Sequence, residues 1–166
     1  MAIEHDYFGL LESGPDGSIF WSENVEFADQ SVTVDLTAPD QDAVSEAALD
    51  AAARVISAIE DVDVRARNAM IAELHDRTSE VTEFILQQQD ELGDAMSGLL
   101  VAISGDVHVD VIRSLRLLTM TILAEEYGGP DPFAVLEFAL DPDAGDQALL
   151  VHLDSDGAIH SISSAD

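Results

Sequence analysis

Between Ser31 and Thr37 the chain alternates strictly. Val32, Val34 and Leu36 are apolar, while Ser31, Thr33, Asp35 and Thr37 are polar. A period of two marks a strand with one face buried and the other wet. The preceding segment carries Ile19, Trp21, Val25 and Phe27, which also favour strand, and Ala28-Asp29-Gln30 supplies a turn. Residues 19–37 are therefore expected to form a β-hairpin. An isolated hairpin is marginal in water, so the rest of the chain must cover its apolar face.

The period changes after the hairpin. Pro39-Asp40 breaks the strand, with Asp40 a fitting N-cap. From Ala43 to Ile59, the positions Val44, Ala47, Ala48, Ala51, Ala52, Val55, Ile56 and Ile59 recur at helical spacing. This stripe is rich in alanine, which lets a helix lie close against a sheet. A second helix is expected over 63–75, with Ala66, Ala69, Met70 and Leu74 inward. A third is expected over 79–96, capped by Ser79, with Val81, Phe84, Ile85, Leu92 and Met96 inward. Residues 109–115 suit a short helix. Strands are then expected at 117–123, 133–140, 147–153 and 158–163, separated by turns rich in Gly, Pro and Asp.

Hairpin, three helices and a four-stranded meander define the α+β class. The expectation is one sheet, made of the N-terminal hairpin and the C-terminal antiparallel meander, with the helices packed on one face. Residues 1–166 fit a single domain. Residues 1–18 read as a loosely ordered lead-in, pinned to the core by Phe8 and Leu10.

Charge narrows the function classes. Acidic residues number 34 against 6 basic ones, all arginine, for a net charge of −28. Such a field repels phosphates and argues against nucleic acid or an anionic membrane as partner. High-GC coding, adaptation to high salt and a basic protein partner are three sources of such acidity. There is no cysteine, which removes disulfides, thiolate zinc sites and a cysteine nucleophile and fits a reducing cytosol. Residues 1–6 show no signal-peptide pattern, and no apolar run approaches membrane-spanning length, so a cytoplasmic protein is expected.

Several segments together resemble a known family. They are Phe8-Gly9, the strand Val32-Thr33-Val34-Asp35-Leu36, the helical Asp63-Val64-Arg65-Ala66-Arg67, Glu80-Val81-Thr82-Glu83-Phe84-Ile85, and the ending from Gln147 to Ile159. Over most of residues 7–163 the chain resembles the bacterial domain-of-unknown-function family two-thousand-four. The resemblance implies a small cytosolic accessory protein, and it assigns no catalytic residue. In scale and layout it is also similar to toxin-immunity proteins.

Few residue groups suggest chemistry. If Ser155-Asp156-Gly157 is a three-residue loop, His152 faces His160 across a hairpin, with Cβ atoms about 5 Å apart. Two imidazoles joined by a carboxylate such as Glu137 would hold Zn²⁺ or Ni²⁺; otherwise the histidines are cross-strand neighbours and nothing more. Asp141, Asp143 and Asp146 share one turn but do not fit the EF-hand spacing. No Gly-x-Ser-x-Gly elbow and no phosphate-binding glycine loop occurs, and no cofactor is implied. Phe20 and Trp21 must point to opposite faces of their strand, so one of them is a candidate protein-binding anchor. Arg113 and Arg116, three apart among leucines, are expected to pair with acids such as Glu125 and Glu126; an anion site is the other reading. These features support two functions. The favoured one is a non-catalytic protein-binding module that masks a basic partner, as an immunity protein does. The alternative is a small metal-assisted enzyme using His152, His160 and a carboxylate. A homodimer through an edge strand is a further option.

Overall fold

The computed structural model describes residues 2–28, 30–101, 103–141 and 147–165. A small hairpin comes first, β1 (Ala2–His5) with β2 (Gly9–Glu12). The second hairpin is β3 (Ile19–Phe27) with β4 (Gln30–Ala38). Four helices come next: α1 (Glu46–Ser57), α2 (Ile59–Glu73), α3 (Glu80–Leu92) and α4 (Val107–Ser114). The chain then returns through β5 (Arg116–Leu123), β6 (Ala134–Ala139), β7 (Ala148–Leu153) and β8 (Ile159–Ala165).

The α+β reading holds. One six-stranded sheet runs in the order β3-β4-β5-β6-β7-β8. Every neighbouring pair is antiparallel except β4 and β5, which are parallel. A parallel pair needs a long crossover, and α1 to α4 are that crossover. This links the N-terminal hairpin to the meander and places the helices. The inward positions Val32, Val34, Leu36, Met120, Ile122, Leu136, Val151 and Leu153 are all fully buried beneath them. Ala48, Ala51 and Ala52 of α1 are equally buried, as an alanine stripe against a sheet requires.

The helix limits differ from the sequence expectation at their ends. Ser45 caps α1, its side chain accepting from the Ala48 N–H, while Asp40 caps only a short 3₁₀ turn over Gln41–Ala43. Helix α2 starts four residues early, at Ile59, with only Ala58 separating it from α1. Helix α3 stops at Gly93, whose φ of 52° favours glycine, and a 3₁₀ turn continues to Gly98.

The lead-in is the clearest correction. Residues 2–12 form a paired hairpin rather than a loose segment. It is seated by Phe8 and Leu11, both buried, whereas Leu10 is exposed. His5 reaches Asp50 of α1 at 2.8 Å, so the hairpin is fastened to the helical layer. Phe8 also packs edge-on against Trp21, with ring centroids 4.8 Å apart. The expected turn at Ala28-Asp29-Gln30 lies only partly within the described residues, and that at 141–146 lies almost wholly outside them.

Candidate functional site

The sheet face away from the helices is a polar lattice. One row across it runs Asn24, Thr33, Thr119, Glu137, Leu150 and Ser163; the next runs Ser22, Asp35, Thr121, Val135, His152 and Ser161. Two of the predicted trio, Glu137 and His152, lie at the far side of this lattice. Glu137 and His152 share the face but sit diagonally, because Val135 is the residue directly opposite His152.

His152 does not face His160. It pairs with Ser161, and Leu153 pairs with Ile159, so the register shifts between the two pairs and leaves His160 as the extra residue of a bulge. The two imidazoles still feel each other. Burial is the main cause that holds the His152 pKa below the ordinary value of 6.5, the charge of His160 adds to it, and Glu80 opposes it. Among the described residues, no three His, Cys, Asp or Glu side chains group closely enough to hold a metal ion.

His152 Nε2 instead meets Ser163 Oγ at 3.1 Å. A serine beside a histidine invites comparison with a nucleophile and its base. The chemistry argues otherwise. The Nδ1 atom of His152 is buried with no partner among the described residues, and an orphaned lone pair there costs less than an orphaned N–H. The favoured tautomer therefore carries its proton on Nε2 and donates to Ser163, the reverse of a base. Among the described residues, no carboxylate orients the ring through Nδ1.

The aromatic pair resolves cleanly. Trp21 is half-buried on the helix side, under Tyr7 and Phe8. Phe20 lies on the open face and is 66% exposed. It stands on β3, an edge strand of nine residues whose one sheet neighbour is β4, and whose first residue, Ile19, is bridged on the other side by Ser13. Glu23 and Glu26 on the same strand are exposed. The other edge, β8, carries Ser161, Ser163 and Ser164 and no acid.

The sequence singles out Arg113 and Arg116 as a pair but does not show the cleft they share with Arg67. Three of the six arginines, Arg67, Arg113 and Arg116, line a single cleft of about 390 Å³ at the start of β4 and β5. Arg67 is the floor of the cleft. Its Nε contacts Asp63 at 3.0 and 3.2 Å, its Nη1 donates to the Ile112 carbonyl at 2.8 Å, and its guanidinium stacks over Phe138. The expected pairing of Arg113 and Arg116 with Glu125 and Glu126 is not seen. Among the described residues, neither side chain makes an ion pair or hydrogen bond. The two arginines flank the helix-to-strand junction at Ser114-Leu115, where side chains three apart turn outward together. That three-residue spacing was the available signal.

Compared with known proteins, the chain matches no family model, no curated protein and no solved structure. Among the described residues, no helix is long and apolar enough to cross a membrane.

Proposed function

We propose that the protein is a non-catalytic binding module that takes a segment of a basic protein along the edge of β3 beyond Ile19, the residue that Ser13 bridges. One observation carries the reading. A nine-residue edge strand presents exposed Phe20, Glu23 and Glu26 on a chain with 34 acidic residues. An unpaired edge offers a row of backbone donors and acceptors to an added strand. Phe20 supplies an apolar anchor, and the carboxylates select lysine and arginine on the incoming chain.

The same charges disfavour a second copy at this edge. A β3–β3 pair would bring carboxylates toward one another across the junction, and like charges directly opposite are destabilising. A basic partner is therefore preferred there over a homodimer. The resemblance to the bacterial domain-of-unknown-function family two-thousand-four, a cytoplasmic location and an immunity-like masking role belong to this proposal.

The test is capture from the source organism's lysate with tagged protein, at low and at high salt, beside a variant carrying Phe20→Ser, Glu23→Gln and Glu26→Gln. The expected result is a basic protein bound at low salt, released at high salt, and lost from the variant. A partner held equally by both forms, or one indifferent to salt, would overturn the reading.

A further inference from the structure

In a molecule of net charge −28, the cleft beside Arg113 and Arg116 stands apart because its unengaged polar groups are donors. Gln30 shows this most clearly. Its Oε1 accepts the Leu117 N–H at 2.8 Å and faces an Arg67 N–H at 3.4 Å, so the amide orientation is fixed by two donors. Its Nε2 donor is then left for the cleft that Gln30 lines. Two guanidinium groups and one amide, all donors, call for an acceptor with several lone pairs. Asp63 does not supply it, since its carboxylate is taken by Arg67. The Asp110 carboxyl is kept below its usual value first by hydrogen bonds from Ser104 and last by the charge of Arg113, and its oxygens are engaged by the Ser104 loop.

They are engaged in holding an apolar loop at the cleft wall. Both Asp110 oxygens accept the Ser104 N–H, at 2.9 and 3.0 Å, and Ser114 Oγ accepts the Val101 N–H at 2.9 Å. Asp110 and Ser114 are buried polar residues on the inner side of α4. The segment they fasten nevertheless leaves Val101 81% and Ile103 89% exposed. Two aliphatic side chains are thus exposed on the loop that Asp110 and Ser114 hold. Val101 itself lines the cleft.

We infer that this cleft binds a small aliphatic monocarboxylate. The carboxylate lies between Arg113 and Arg116 with Gln30 as a third donor, and the hydrocarbon runs along Val101 toward Ile103. The volume of about 390 Å³ is in the range of small-ligand sites. The surrounding acidity selects the charge class. A single carboxylate is compensated locally by the arginines, whereas a polyphosphate also meets the repulsion of the whole molecule. Screening at physiological salt confines that balance to about 8 Å around each group. The inference stands on the cleft alone and is independent of the binding role of β3.

Octanoate, acetate, octanamide and inorganic phosphate are titrated into isotope-labelled protein, and the backbone amide signals of Val101, Ile103, Ser104 and Leu117 are followed by NMR. Octanoate is expected to saturate these shifts, with acetate and octanamide each weaker by about tenfold or more. Arg113→Gln with Arg116→Gln is expected to weaken octanoate by about tenfold or more while the β7 and β8 amide signals stay those of the folded protein. Val101→Ser with Ile103→Ser is expected to bring octanoate down to the level of acetate. Equal binding of octanamide and octanoate, tighter binding of phosphate, or an indifferent arginine variant would overturn the inference. A peptide ending in a leucine carboxylate that binds where octanoate does not would overturn the small-molecule assignment.

Discussion

The Asp63 carboxylate and the Arg67 guanidinium meet at 3.0 Å one turn apart on α2, with side-chain exposures of 11% and 14%. Their pairing is the hub of the β4–β5 crossover. Arg67 continues to the Ile112 and Arg113 carbonyls at the end of α4 and faces Gln30 of β4, which in turn accepts the Leu117 N–H of β5. One arginine thus joins the elements that bracket the parallel pair. Removing one partner of a buried ion pair strands the other charge, at a cost of about 3–5 kcal/mol. Asp63→Ala is expected to lower the urea midpoint accordingly, with little change in slope. A loss under about 1 kcal/mol would mean the pair is solvated like a surface pair.

Phe138 tests the core beneath that hub. It is fully buried and lies under the Arg67 guanidinium, whose central carbon is 5.2 Å from the ring centroid. Phe138→Ala is expected to cost about 3–5 kcal/mol, because both the transfer and the cavity terms act. Phe138→Leu keeps most of the volume and is expected to cost clearly less. Chemical denaturation of both variants measures the difference.

His152 gives a pH dependence with a defined sign. Its folded pKa is below the ordinary 6.5, through burial first and the charge of His160 second. Below 6.5 the unfolded chain then binds more protons than the folded one, so stability falls as pH drops through that value toward the folded pKa. His152→Gln is expected to flatten this part of the stability–pH curve relative to the wild type. An NMR titration placing the His152 pKa above 6.5 would contradict the account.

Salt is expected to stabilise the protein. With 34 acidic and 6 basic residues, screening relieves more repulsion than attraction. Glu73 shows that repulsion locally: its pKa is raised by partial burial first, and the charges of Glu80 and Asp76 add to it. Between low salt and 1 M NaCl a gain of order 1 kcal/mol corresponds to about 2–4 °C in melting temperature. A melting temperature that falls with salt would show that attractive pairs dominate.

Asp110 governs the exposed loop rather than the core. Asp110→Ala is expected to speed amide exchange at Ser104, whose N–H loses its acceptor, while β5 and β6 amides keep their protection. Uniformly faster exchange would give Asp110 a global role instead.

Much of this fold was legible because periodicity reports which face is buried. Val32, Val34 and Leu36 alternate along the chain and are fully buried in the sheet, and the alanine stripe of α1 behaved likewise. The lead-in was not legible, since β1 and β2 span four residues each, too short to show a period. The register of His152 depended on a bulge, and one inserted residue moves a side chain without changing any pattern in the sequence. The arginine cleft needed distant parts of the chain. Gln30 and Leu117 meet across a separation of 87 positions, which no local spacing encodes.

The central claim is that β3 is the partner-binding edge, and amide hydrogen exchange on the complex with the captured basic protein tests it most directly. The account predicts new protection at the outward amides of residues 20–27, with β8 unchanged. Protection on β8 or on the helices, with β3 left as it was, would contradict it.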